Sequence, residues 1–568
     1  MPAPKKVKVK AYRSEKMVLL AFDWAEGKNR NDFLGFAIKR TPGFRGEPFS
    51  WLPNRVGFKG PLQPTDPKGS DANPVQKFMW WDAQFEDKDF GKTFTYELAP
   101  VVGDKVDATT VKNLNILASF KTSIKVSLVS TTPDGKISTH FNRAVVSSQS
   151  FSRKFIVNDK FDESKLDAAL DWLANGFEKI IPGFLDKAAA IEGAIYHLSD
   201  QKWVIPALEN YGKSLSLVHD SDKNDNANDD AIDALGGLAN VQLLPRTKAS
   251  IMHNKFLVSF KNNKPVSLLM GSANFTTDAL TSQANLLHVF DSSELAAVYL
   301  ERKRLLEEDP AKKDTAAAAK WSDTIKVGSA NIKVFFSPEK KNESNRIGLG
   351  PVEKAILNAK KSVIFCIYTP TDKAIRDACF KVGDAGKMMF GIVNSISDEQ
   401  PESDTKDATF ETKVALFHRS KNNRDVYDHA AFAKSNFPAG FWWELNAVPK
   451  KVKSKFPVYI HHKFIVIDGE TDNPIIYSGS ANMSNNSNYN NDENLLEIKN
   501  APEIARIYMA EFFRLYEHYR ARAQFIENIK KLNLGKKGTF KLTTDRRWAN
   551  DDYTANTPAA KMRVNMSS

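Results

Sequence analysis

Cysteine is almost missing from this chain: Cys366 and Cys379 are the only two among 568 residues. Two thiols cannot build a disulfide framework. Cys366 lies within the apolar run VIFCIY, where a reduced core thiol is expected rather than a redox or metal-binding one. No uninterrupted apolar stretch reaches the length of a membrane span. The N-terminus, MPAPKKVKVKAYRSEKMVLL, lacks the apolar core and small-residue cleavage site of a secretory signal. A soluble chain is expected, either cytoplasmic or exported without a cleaved signal. Gly and Pro are in no excess, and with 42% hydrophobic and 26% charged residues the composition excludes a disordered or fibrous chain. Acidic residues are outnumbered by basic ones. The net charge of +12 favours a polyanionic partner: nucleic acid, an anionic membrane surface or a phosphorylated substrate. The length excludes one ordinary core and calls for roughly two to four domains.

Residues 1–155 read as an all-β region. KMVLLAF, FLGFAIKR, TFTYELAPVVG, SIKVSLVS and KISTHFNRAVV show strand-type alternation or β-branched and aromatic enrichment, with turn signals such as PDGK between them. An antiparallel sandwich of immunoglobulin or fibronectin type is expected, with an accessory role. Phe78, Trp80, Trp81 and Phe85, grouped in KFMWWDAQF, are expected mainly in its core.

From DESKLDAALDWLANGFEKII onward the apolar spacing turns helical, and a whole-domain repeat follows. The first copy, 156–320, carries IMHNKFLVSF and then LLMGSANFTTDALTSQANLLHVF. The second, 321–540, carries YIHHKFIVID and then IIYSGSANMSNNSNYNNDENLLEI. His253 recurs as His461 and Asn274 as Asn482, each 208 positions later. Each copy reads strand, helix, strand, motif strand, strand and helix, the grammar of an α/β layered domain. Residues 541–568 read as a C-terminal tail. The polar loop DSDKNDNANDD has acidic spacing but lacks the turn Gly and closing Glu of a calcium loop. No metal or other cofactor is expected.

Strand alternation puts His461 and Lys463 on one face and His462 on the other, and His253 with Lys255 likewise. Ser272 and Asn274, or Ser480 and Asn482, follow beside a Gly turn. If the copies face each other, two imidazoles, two ammonium groups and two carboxamides converge. Such a set suits a tetrahedral phosphodiester: Lys and Asn hold the non-bridging oxygens, one imidazole attacks phosphorus and the other protonates the leaving oxygen.

HHKFIVID followed by GSANMS, and HNKFLVSF followed by GSANFT, resemble the paired HxKxxxxD and GSxN motifs of the phospholipase D superfamily. The resemblance covers roughly residues 165–525 and implies a duplicated α/β/α sandwich. It further implies metal-independent, two-step catalysis through a phosphohistidine. The chain departs from the family pattern in its first motif, where Phe260 stands at the position of Asp468. In the family that Asp generally supports structure, so Asp468 is expected to be scaffold. Glu493 in the second copy has Ala284 beside Gln283 as its counterpart on this reading. In family members an acid at this position can pair with the imidazole of its own motif. Glu493 is therefore expected to pair with His461 and to raise its pKa as a general acid requires, with Gln283 orienting a neutral, nucleophilic His253.

The expected substrate is a phospholipid, whose headgroup phosphodiester is hydrolysed. The stretch 438–456 clusters Phe441, Trp442 and Trp443 ahead of Lys450, Lys451, Lys453 and Lys455, which suits a lipid interface. The same rings and lysines suit single-stranded nucleic acid, so a DNA or RNA phosphodiesterase is the alternative. A non-catalytic basic binding protein is disfavoured by the complete His, Lys and Asn sets in both copies. A monomer is expected.

Overall fold

The computed structural model describes residues 5–54, 56–61, 68–144, 151, 154–157, 160–221, 226–342, 345–394, 414–418, 420–427, 459–532 and 541–568. The aromatic and lysine stretch at 438–456 and part of the acidic loop fall outside these residues.

The chain is mixed α/β, with an all-β N-terminal region. There a three-stranded sheet, in which Met17–Asp23 is central, and a five-stranded sheet built on Phe33–Thr41 and Thr93–Lys105 share one apolar core. Phe78 belongs to that core, and Trp80 and Phe85 pack against it half-buried. Trp81 packs instead on the central core described below. The C-terminal residues are packed onto the same region. Trp548 stacks on Phe78 with ring centroids 5.2 Å apart, and the Tyr553 hydroxyl donates to the carbonyl of Trp24.

Each repeat forms one sheet. The first has seven strands in the order Ile137–Phe141, Leu286–Phe290, Lys264–Gly271, Lys255–Lys261, Ala190–Ile195, Ser214–Asp220, Val241–Arg246. The second has nine, and its middle follows the same order: Ala330–Ser337, Glu493–Lys499, Ile475–Gly479, Lys463–Ile467, Ser362–Ile367, Met388–Val393. Ile137–Phe141, which sequence texture groups with the N-terminal strands, is thus the edge strand of the first repeat's sheet, antiparallel to Leu286–Phe290. Its alternation is equally suited to either sheet; the partner strand decides.

The motif strands are buried on both faces. Phe256, Val258, Phe464 and Val466 enter a central core shared by both repeats, with Tyr299 and Tyr508 from the inner helices Ser293–Glu307 and Pro502–Leu532. Leu257 on one strand, and Ile465 and Ile467 on the other, face the separate cores under the outer helices. Helices therefore cover both faces of each sheet, which is why these strands read as continuous apolar runs. Cys366 and Cys379 are buried without a disulfide, and burial raises both thiols above their ordinary range, away from thiolate chemistry. Among the described residues no helix is long and apolar enough to cross a membrane.

Candidate functional site

In both sheets the motif strand runs antiparallel to the parallel pair beside it. Its first residue, Lys255 or Lys463, therefore lies at the carboxyl end of those strands, the usual ligand-binding edge of α/β sheets. The two histidines do not sit on the strands as alternation predicts. His253 and His461 lie just ahead of them, where the chain leaves its own sheet and pairs with the other repeat. The His253 N–H donates to the carbonyl of Asp492 at 2.9 Å, and Met252 bridges Asp492 in parallel. Reciprocally, the His461 N–H donates to the carbonyl of Ala284 at 3.1 Å, and Tyr459–Ile460 pairs with Gln283–Ala284.

This crossing overturns the expected pairing of the imidazoles. Glu493 Oε2 lies 2.8 Å from Nδ1 of His253, the histidine of the opposite repeat, and not beside His461. His461 Nδ1 is 2.8 Å from Oδ1 of Asn285. Gln283 does not orient His253: its backbone pairs with Tyr459, and its Oε1 is buried without a hydrogen-bond partner among the described residues. The physical reason is the exchange of strand ends, which carries each anchor across the pseudo-symmetric interface. Asn285 itself was legible, because the 208-residue offset applied to Glu493 falls on Asn285 and not on Ala284 or Gln283.

The two anchors differ in charge. Glu493 accepts from Ser487 Oγ at 2.8 Å and Asn491 Nδ2 at 3.1 Å on one oxygen and faces His253 with the other. Asn285 Oδ1 accepts from Ser272 Oγ at 2.9 Å as well as facing His461. Behind each imidazole lies an aromatic ring: Tyr196 is 4.9 Å from His253 and Tyr368 5.3 Å from His461, both edge-on. Lys255 Nζ and Lys463 Nζ sit over the same rings and donate to the carbonyls of His253 and His461, at 2.6 and 3.0 Å.

The GSxN serines turn inward. Ser272 and Ser480 accept from the backbone N–H groups of Leu286 and Asn494, bracing the adjacent strand. Asn274 and Asn482 differ from them in that the Oδ1 of each is buried with no hydrogen-bond partner among the described residues, at matching positions of the two repeats. Asp468 is far along the strand from the imidazole. Its carboxylate accepts from the backbone N–H groups of Lys360, Lys361 and Ser362 at 2.7–3.0 Å, closing the start of a neighbouring strand. His462 and His288 are buried, and burial holds both imidazoles below the ordinary range, His288 at about 3. Among the described residues no group of three or more His, Cys, Asp or Glu side chains is placed to hold a metal ion.

Sequence reading missed the second layer. Asp492 is gripped by Arg246 Nε and Arg302 Nη2, each at 2.8 Å, while its own carbonyl holds His253. Asn254 Nδ2 donates to the same carbonyl, and Asn494 Nδ2 donates back to Asn254 Oδ1.

Residues 352–516 match the family model described as cardiolipin synthase, PLD-like domain. A search of curated proteins returned no match. Among solved structures, phosphatidylserine synthase from Haemophilus influenzae Rd KW20 is 12% identical over 63% of this chain and 92% of its own, with a TM-score of 0.38. A phospholipase D family member, Nuc, from Salmonella typhimurium is 24% identical over 23% of this chain and 86% of its own, with a TM-score of 0.20. Polyphosphate kinase from Porphyromonas gingivalis is 11% identical over 58% of this chain, with a TM-score of 0.34, and the match spans 46% of that protein, less than half its length. Residues 352–516 thus carry a phospholipase D-like domain, and they are preceded by a second sheet of the same strand order.

Proposed function

We propose that this chain is a phosphodiesterase that works through a covalent phosphohistidine, with His253 as nucleophile and His461 as general acid. The observation that carries the reading is the unequal anchoring: a carboxylate behind His253 and a carboxamide behind His461. Glu493 balances the positive charge that forms on His253 when its Nε2 attacks, as a nucleophile requires. With a neutral amide behind it and not the expected carboxylate, the acid role of His461 rests on ready release of the imidazolium proton and no longer on a carboxylate that holds it.

In the first step His253 Nε2 attacks phosphorus and the bond to the leaving oxygen breaks. That oxygen takes the proton from His461 Nε2. In the second step water attacks phosphorus, His461 Nε2 receives the water proton, and the P–N bond breaks to restore His253. Lys255 and Lys463, with Asn274 and Asn482, are assigned to the non-bridging oxygens, where added negative charge is stabilised. For the substrate we favour a phospholipid headgroup diester, on the support of the Trp442, Trp443 and lysine stretch in the sequence.

The test is a parallel assay of the pure chain on phosphatidylcholine vesicles and on single- and double-stranded DNA, with chelator present and His253→Ala as control. An alkaline quench followed by mass spectrometry locates the phosphorylated histidine. Headgroup release that survives chelator, with the phosphatidyl phosphorus on His253, is expected. Cleavage of DNA alone would replace the lipid reading with a nuclease one, and phosphate trapped on His461 would reverse the two roles.

A further inference from the structure

Asn142 follows the edge strand Ile137–Phe141 and is buried behind the segment that carries Asn285. Its Nδ2 donates to the carbonyls of Ala279, Thr281 and Gln283 at 3.1, 3.4 and 2.6 Å. Its Oδ1 accepts from the Asn285 N–H at 2.9 Å, and its own N–H donates to the Asn285 carbonyl at 3.4 Å. Asn285 uses two of the same acceptors: its Nδ2 donates to Ala279 at 2.9 Å and Gln283 at 3.4 Å. Carbonyl oxygens only accept, so they fix which end of the Asn285 amide is the NH₂. Its Oδ1 must then face His461, and an oxygen acceptor there holds the hydrogen of neutral His461 on Nδ1.

The other repeat has a counterpart. Phe141 pairs with Leu286 and Phe336 with Asn494, so Asn142 and Ser337 occupy matching positions. Ser337 Oγ donates to the carbonyl of Asn491, two residues before Glu493, as Asn142 donates to Gln283, two residues before Asn285. Glu493 is further held by Ser487 and Asn491, whereas in the first repeat Asn142 shares with Asn285 itself the carbonyls of Ala279 and Gln283.

We propose that Asn142 is a positioning residue that fixes the tautomer of His461 through the segment 279–285 and Asn285. The chemical consequence rests on the phosphohistidine reading. When water attacks the phosphoenzyme, neutral His461 must take its proton on Nε2, which requires the hydrogen to be on Nδ1. Without Asn142 the segment relaxes, Asn285 can turn, and the tautomers mix.

The experiment uses the full chain with ¹⁵N-labelled histidine. In the parent protein the neutral His461 signal reports the Nδ1–H form; in Asn142→Ala it reports a mixture, with His253 unchanged. Asn142→Ser, which copies Ser337, lies between the two and supplies a folded variant should the alanine variant not fold. With bis(p-nitrophenyl) phosphate, whose leaving group needs little acid help, the first-turnover burst of Asn142→Ala persists. Steady-state turnover falls roughly tenfold to a hundredfold, a share of what a positioned proton-transfer group contributes. An unchanged His461 tautomer in a folded variant, or a burst and steady state that fall together, overturns the proposal. If the parent protein cleaves no phosphodiester, the functional reading fails while the tautomer measurement still decides the role of Asn142.

Discussion

At the scale of single residues, the two halves of the site differ by one charge. Glu493→Gln keeps an acceptor for His253 Nδ1 but removes the negative charge behind it. Turnover is expected to fall on the order of a hundredfold, comparable to losing one preorganised electrostatic partner, with covalent intermediate forming more slowly in rapid-quench experiments. Asp468 makes the opposite case. It is engaged with three backbone N–H groups at the start of the strand Ser362–Ile367 and not with the imidazoles. Asp468→Ala leaves those buried donors unpaired. Denaturant unfolding should show a loss of about 1–3 kcal/mol, while turnover per folded molecule stays near that of the parent. The first repeat manages without such a carboxylate: Phe260 stands there, its carbonyl accepting from the Ala189 N–H.

Among the elements, the segments just ahead of the motif strands decide the geometry. Each leaves its own sheet to pair with the other repeat, and Asp492 secures one crossing by joining Arg246 and Arg302, all three buried. Removing Asp492 leaves buried Arg302 without its carboxylate and Arg246 with Asp309 alone. Asp492→Ala is therefore expected to cost about 3–5 kcal/mol in denaturant unfolding; a cost below 1 kcal/mol would show that this group does not secure the crossing. Much of the element pattern was legible. Duplication, the α/β grammar and the apolar motif strands follow from spacing and composition. Ile137–Phe141 was not, because a short alternating strand fits any sheet edge, and its partner Leu286–Phe290 lies far along the chain.

The whole molecule is held by contacts that ignore repeat boundaries. His288 of the first repeat is clasped between Thr139 Oγ1 at 2.9 Å and the hydroxyl of Tyr508, at 2.7 Å, on the long helix that follows the second motif. Burial pushes its imidazole down to about 3, from an ordinary value near 6.5. Between those values the unfolded chain binds a proton that the folded chain does not. Its contribution to stability is present above about pH 6.5 and is lost as pH falls towards about 3, at up to about 1.4 kcal/mol per pH unit. Unfolding free energies measured from pH 7 down to pH 4 should fall less steeply for His288→Asn than for the parent. Equal slopes would place the acid sensitivity elsewhere.

The sequence alone named the candidate residues: two histidines, two lysines and two GSxN carboxamides, repeated 208 residues apart in motifs that resemble those of one superfamily. It also marked one surplus carboxylate, Glu493, but the counterpart expected for it, Ala284 beside Gln283, misses Asn285, the residue on which the 208-residue offset falls. Only the tertiary structure decided which histidine each of them serves. Local periodicity specifies which face of a strand a residue occupies, but Glu493 and His253 are 240 residues apart, and Asn285 and His461 are 176 apart. Their pairing is set by how two buried sheets dock and exchange strand ends. No spacing within either repeat encodes that exchange.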